Sequence, residues 1–131
     1  MYFKPTSLRL LAVSVTCVAS LLTAPAALAH GDAKPQHGGI VRTASDLSFE
    51  LVANGDGATI YVIDHGKPFD TSGVNGKLTV LSGTEKAEAD LKPAGGNKLE
   101  AKGVKLGAGA KVVAALESAN KKAITVRFTV K

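Results

Sequence analysis

The chain of 131 residues is poor in sulfur and in aromatic side chains. It contains one cysteine, one methionine and no tryptophan, and aromatic residues make up 5% of the sequence. The single cysteine, Cys17, cannot form a disulfide within the chain, so a disulfide-stabilised scaffold is excluded. The scarcity of thiolate and thioether ligands also argues against a soft Cu(I) site.

The motifs of common catalytic and cofactor sites are missing as well. The sequence has no G-x-G-x-x-G or Walker pattern for nucleotides and no G-x-S-x-G turn for a nucleophilic serine. It also lacks the CxxC and HExxH words of zinc sites. We therefore predict a protein that is not an enzyme.

Charge is only mildly unbalanced, with 16 basic residues against 11 acidic ones. The lysines are spread along the chain with few aromatic residues among them, whereas nucleic-acid-binding proteins concentrate basic residues on one face. A solvated surface accounts for this charge, and we predict no nucleic-acid partner.

The first 29 residues have the layout of a secretory signal peptide. Lys4 and Arg9 precede the apolar segment Leu10–Leu22, and Ala27-Leu28-Ala29 supplies small residues for cleavage before His30. The segment is shorter than the ~18–20 apolar residues of a membrane-spanning helix, so a retained anchor is the weaker alternative. We expect a periplasmic protein that has no membrane contact after cleavage, and that has lost Cys17.

Beyond residue 38 the apolar residues alternate, as in β-strands. In Ala123–Lys131 the apolar Ile124, Val126, Phe128 and Val130 alternate with polar residues, and Leu47–Val52 repeats the pattern. The segment Ala58–Asp64 is more continuously apolar, as expected of a central strand covered on both faces. Further strands are predicted near residues 39–43, 77–82, 86–92, 98–101 and 110–118.

Glycine and asparagine separate these segments at regular intervals, as in "NGDG", "HGKP" and "PAGGN". Helical spacing also fits Val112, Ala115, Leu116 and Ala119, but the flanking glycines favour a strand. We predict an all-β fold, a single antiparallel β-sandwich of the immunoglobulin-like type with seven to eight short strands over residues 39–131. It follows a helical signal peptide, 1–29, and a flexible histidine-containing leader, 30–38.

The leader contains the most suggestive candidate for a metal site. After cleavage, His30 would carry a free α-amino group beside its imidazole, so that one residue offers two nitrogen donors for a chelate ring. Asp32 and His37 follow in the leader, and the third histidine, His65, lies in "DHGKP" between a strand and a turn. We predict a metal site of His30 and His37, with Asp32 and His65 as further ligands.

Nitrogen and oxygen donors without sulfur favour Cu(II), and Zn(II) is the second choice. The alternative is structural: His30 is merely tolerated after a cleavage site, His37 caps the first strand, and His65 is an ordinary turn residue. Asp64 and Asp70, which flank that turn, are expected to accept hydrogen bonds from turn amides.

With these residues in view, the chain resembles small periplasmic proteins associated with heavy-metal and copper efflux systems. Related β domains are fused to the adaptor subunits of metal exporters. A processed N-terminal histidine on a β-sandwich also resembles the CopC-type periplasmic copper carriers. The similarity to the efflux-associated proteins is carried by "HGGIV", "FELVANGDGATIYVIDHGKPFDTSGVNGKLTVL", "LKPAGGNKLEA" and "AKVVAALESANKKAITVRF".

This resemblance implies an exported β-sandwich that binds or buffers a transition metal, with His37 carried over by "HGG" and His65 by "DHGKP". Its expected partner is a metal-efflux adaptor or another envelope protein. The rival interpretation is an accessory module that binds no metal and docks to an envelope partner through a sheet edge or loop.

Overall fold

The computed structural model describes residues 33–131, none of which is helical. Nine strands follow one another along the chain: β1 (Ile40–Ala44), β2 (Leu47–Asn54), β3 (Gly57–Asp64), β4 (Lys67–Pro68), β5 (Asn75–Ser82), β6 (Glu85–Pro93), β7 (Lys98–Lys102), β8 (Lys111–Glu117) and β9 (Ala123–Thr129). Each strand pairing is antiparallel. The predicted antiparallel all-β fold is therefore confirmed, with nine strands where seven or eight were expected.

The strands form one continuous path, β1-β2-β3-β7-β6-β5-β8-β9, and β4 adds to β3. The path folds over where β6 joins β7 through only Lys92 and Pro93, so that two layers face each other. β1 and β9, at the ends of the path, also contact each other. The result is a sandwich that nearly closes into a barrel.

Alternation along the strands determines which side chains enter the core between the layers. Ile124, Val126 and Phe128 of β9 are buried there, as are Phe49 and Leu51 of β2. The segment with ambiguous periodicity is strand β8, which pairs on both sides with β5 and β9. Its flanking glycines and its position between two strands outweigh the helical spacing.

Tight turns connect most neighbouring strands. Between β1 and β2, Ser45 and Asp46 both have positive φ, and Ala44 pairs directly with Leu47. Two successive residues of positive φ belong to type I′ turns, whose twist matches that of the flanking strands. Residues 103–110 form the loop between β7 and β8. Within residues 33–131 we find no helix long and apolar enough to span a membrane.

Candidate functional site

His65 lies at the tip of the hairpin between β3 and β4. Asp64 pairs with Lys67, which leaves His65 and Gly66 as a two-residue turn with φ values of 48° and 83°. This is again the pattern of a type I′ turn, in which the second position favours glycine. The imidazole side chain is 80% exposed. The fold therefore presents His65 to solvent.

A neighbouring carboxylate orients the His65 ring. The Nδ1 atom lies 2.5 Å from Oδ1 of Asp64. An ionised carboxylate only accepts hydrogen bonds, so Nδ1 carries the proton and, in the neutral ring, Nε2 keeps its lone pair. The Asp64 carboxylate thus bonds to the His65 ring and not to a turn amide, which differs from the expectation. Asp70 does accept a hydrogen bond from a backbone amide, the Ser72 N–H at 2.9 Å. Histidines that bind metals commonly have such a carboxylate behind them.

The described part of the leader runs over the outer face of β1–β3, which we define as the face turned away from the core. In register across the three strands, this face carries Val41, Glu50 and Tyr61. Alternation correctly places Glu50 opposite the core, yet Glu50 is only 5% exposed. It is buried because the leader passes over it.

The Glu50 carboxylate accepts hydrogen bonds from three backbone N–H groups. They come from Gln36 at 2.8 Å to Oε1, from His37 at 2.8 Å to Oε2, and from Gly39 at 2.9 Å to Oε2. Burial raises the pKa of Glu50, but the bonds from Gly39, Gln36 and His37 outweigh it and hold the pKa below its ordinary value. Glu50 is thus a buried anion bound to the leader backbone.

The His37 ring belongs to the same cluster. Its Nδ1 lies 3.2 Å from Oε1 of Glu50, and its ring stacks on Tyr61 with a centroid separation of 3.6 Å and an interplanar angle of 5°. The ionised carboxylate again requires the proton on Nδ1. The side chain is still 39% exposed. His37 therefore fastens the leader to the sheet through its backbone, its Nδ1 and its ring face.

A cavity of about 400 Å³ separates the start of the described leader from the sheet. Ala33, Lys34 and Gln36 line it on the leader side, and Glu50 and His65 line it on the sheet side. His65 could contribute to the leader site only if the fold brought them together. The fold places His65 on the same cavity as Ala33 and Lys34, the first described residues of the leader.

The predicted ligands have different outcomes. His30 and Asp32 lie outside the described residues, as does the signal peptide. His37 and His65 are both described, but His37 is not among the residues that line the cavity with His65. Within residues 33–131, no group of three or more His, Cys, Asp and Glu side chains could hold a metal ion.

Sequence reasoning missed Glu50 and Tyr61. The sequence pattern places Glu50 on the polar side of Leu47–Val52 and Tyr61 within the apolar segment Ala58–Asp64, and neither pattern connects these residues with the leader. A signal was present in the acidic residue enclosed by Phe49 and Leu51, because a carboxylate amid buried neighbours needs donors.

In comparisons with known proteins, no family model, curated protein or solved structure matches the chain.

Proposed function

We propose that the protein binds a transition-metal ion where the start of the leader meets the β3–β4 turn. The ligands are the α-amine and imidazole of His30, with Asp32 and His65. Cu(II) is the preferred ion and Zn(II) the second choice. The protein captures the ion and hands it over, without turnover of a substrate.

The observation that carries the proposal is that His65 and Ala33 line one cavity. An extended chain covers at most about 3.6 Å per residue, so the Cα atoms of His30 and Ala33 are within about 11 Å of each other in any conformation. Asp32 is bonded directly to Ala33. The length of the chain thus allows His30 and Asp32 to reach the cavity that His65 lines.

The chemistry of the donors supports the choice of metal. Amine, imidazole and carboxylate are nitrogen and oxygen ligands of the kind that suit Cu(II) in a tetragonal site. His65 has the carboxylate partner on Nδ1 that metal-binding histidines usually have. His37 has the same arrangement with Glu50, but it is not among the residues that line the cavity with His65, and it attaches the leader to the sheet.

The N-terminal sequence and the resemblance to efflux-associated proteins support a periplasmic setting. A cleavable signal peptide over residues 1–29 would export the chain to the periplasm and create the free amine of His30. Handover would then be to a metal-efflux adaptor or another envelope protein. Intact-mass measurement of the exported protein gives the position of the mature N-terminus on which the amine ligand depends.

The proposal is tested by titrating Cu(II) into protein that begins at His30, beside two variants. One variant carries an extra residue before His30, and the other is His65→Asn, because asparagine tolerates the positive φ of this turn position. Each loses a proposed donor, so we expect each to bind Cu(II) more weakly by about tenfold or more. Glu88→Gln, which removes a carboxylate from an exposed position on β6, serves as the control.

Equal Cu(II) affinity in the wild type and the extended variant would remove the amine from the site. Equal Cu(II) affinity in the wild type and His65→Asn would show that His65 is not a ligand. A parallel titration with Zn(II) ranks the two metals, and we expect Cu(II) to bind more tightly.

A second candidate function is a metal-free module that docks to an envelope partner through a sheet edge. It is favoured by β6, whose residues from Glu85 to Leu91 pair only with β5 among the described strands. Leu81, on the neighbouring strand, is an exposed large apolar residue. Metal analysis of periplasmic protein, followed by pull-down with the apo form, separates the two functions. Metal-free protein that retains a specific partner would favour this second candidate.

A further inference from the structure

We propose that Glu50 is a positioning residue for the metal site: its carboxylate anchors the leader on the outer face of β1–β3 and so fixes the direction in which the chain runs from Gln36 back to Ala33, which lines the same cavity as His65. This inference rests on the proposed function. Glu50 itself is not a ligand. It acts through the backbone of the leader.

The carboxylate is the main polar attachment of this segment. Three backbone N–H groups within four residues converge on Glu50, and His37 Nδ1 adds a fourth donor. Regular strand pairing begins only at Ile40. From Ala33 to Gly39 we find no backbone–backbone hydrogen bond to the rest of the described chain. Removing the carboxylate therefore removes most of what fixes the direction of the leader.

The two glycines after His37 allow the backbone to wrap around the carboxylate. Gly38 has a φ of 71°, which a glycine adopts without strain. A Cβ atom at Gly39 would collide with the carbonyl oxygen of Leu51 and lie 2.9 Å from Cγ of Glu50. The word "HGG" thus has a physical role in this fold, since it shapes the segment that binds Glu50.

Anchoring at Gln36 shortens the stretch of chain between His30 and the first described attachment of the leader to the sheet. With Glu50 in place this attachment is at Gln36, whereas without the carboxylate it is at Ile40. A shorter tether raises the effective concentration of the amine and of Asp32 at His65. Preorganisation of this kind strengthens binding without adding a contact to the metal.

The chain contains its own reporter of the anchored state. It has no tryptophan and two tyrosines, Tyr2 and Tyr61, and Tyr2 lies in the predicted signal peptide. In protein that begins at His30, tyrosine fluorescence therefore comes from Tyr61 alone. Because the His37 ring is stacked on it, release of the leader should change that emission.

The test compares Glu50→Gln with the matched control Glu88→Gln, which removes the same charge from an exposed position on β6. In metal-free protein, we expect Glu50→Gln, which replaces one acceptor oxygen by an NH2 donor, to lower the hydrogen-exchange protection of the Gln36, His37 and Gly39 amides and to change Tyr61 emission. Amides of β8 and β9 should stay protected and show that the fold is intact.

Cu(II) affinity should fall by about 10- to 100-fold, as for other residues that orient metal ligands. The control should match the wild type in each measurement.

Coupling with His65 distinguishes positioning from a general structural role. In the His65→Asn background, Glu50→Gln should cause no further loss of Cu(II) affinity, because the anchor then has no sheet ligand to which it can deliver the leader. Equal losses in both backgrounds would overturn the proposal. So would protected leader amides in Glu50→Gln, or lost protection with unchanged affinity. A wild-type protein that binds no Cu(II) would overturn the proposed function, while the amide measurements would still decide whether Glu50 anchors the leader.

Discussion

Two glutamates in the middle of strands, Glu50 on β2 and Glu88 on β6, show how differently this fold uses the same carboxylate. Glu50 is 5% exposed and its partners are backbone N–H groups of the leader and a histidine ring. The Glu88 side chain is 41% exposed and its partners are the ammonium groups of Lys86 at 3.1 Å and Lys77 at 3.8 Å. The pKa of each is lowered, at Glu88 by the Lys86 hydrogen bond and charge and by the Lys77 charge.

The two carboxylates differ in how much conformational freedom and hydration their hydrogen-bond partners lose on binding. Lysine side chains give up rotamer freedom to hold an exposed ion pair, and salt screens the attraction, so such pairs contribute little. Backbone N–H groups under a covered carboxylate have fixed directions and must be paired once water is excluded. The Glu50 region should therefore be sensitive to substitution and insensitive to salt, and the Glu88 region should show the opposite behaviour.

The largest expected effect comes from Glu50→Ala. The substitution removes a charged acceptor from three N–H donors and leaves a space below the leader. Hydrogen bonds to charged groups contribute about 1.5–3 kcal/mol each, but the leader can lift and expose its amides to water. We therefore expect the free energy of unfolding to fall by about 2–3 kcal/mol, measured by urea denaturation at neutral pH.

Glu88→Ala is the matched control for this measurement. Because its carboxylate and its lysine partners are exposed, we expect the urea midpoint to stay at the wild-type value. If Glu50→Ala also left the urea midpoint at the wild-type value, the leader would contribute nothing to stability and the burial of Glu50 would be incidental.

A steric change at Gly39 should have the next largest effect. In Gly39→Ala the new methyl group would meet the Leu51 carbonyl oxygen and Cγ2 of Val52, so the leader must move away from β2. Overpacking of this kind costs about 1–3 kcal/mol, and we expect about 2 kcal/mol from thermal or urea unfolding.

Gly38→Ala sharpens the same comparison. Its Cβ would meet open space, and the cost comes only from the φ of 71°, about 1 kcal/mol. A larger loss in Gly38→Ala than in Gly39→Ala would show that backbone conformation, and not close approach to Glu50, is what the glycine pair provides.

Much of the fold was predictable because its determinants are local. The alternation of Ile124, Val126 and Phe128 requires an extended strand with one buried face, and β9 has it. Turn residues also have local effects: "HGKP" predicts a turn from composition, and the structure shows a two-residue turn at His65 and Gly66. The strand path was not predictable, because the β6–β7 contact through Lys92 and Pro93 depends on how the two layers meet.

The candidate site was only partly predictable for the same reason. Alternation indicates which face of β2 carries Glu50, but it does not indicate what covers that face. The leader has no apolar periodicity, so its path over Tyr61 leaves no pattern in the sequence. Residue type and the resemblance carried by "DHGKP" indicate His65, whereas its nearness to Ala33 comes from the placement of the β3–β4 turn.

The smallest expected effect, and the most direct test of the difference between the two glutamates, is the dependence of stability on pH and salt. A carboxylate whose pKa is lowered in the folded state stabilises the protein above its unfolded pKa, and this contribution is lost as the pH falls through the folded pKa. For Glu50 the loss begins near its ordinary value of 4.5 and continues below it, so acidification should lower the free energy of unfolding.

Glu50→Gln and Glu88→Gln should each reduce that dependence at low salt, when urea midpoints are compared between about pH 5 and pH 3. In about 1 M salt the screening length is about 3 Å, so the Glu88 contribution should disappear while the Glu50 contribution, which comes from buried backbone hydrogen bonds, should persist. If salt removed both contributions equally, the leader would not be holding Glu50 away from solvent.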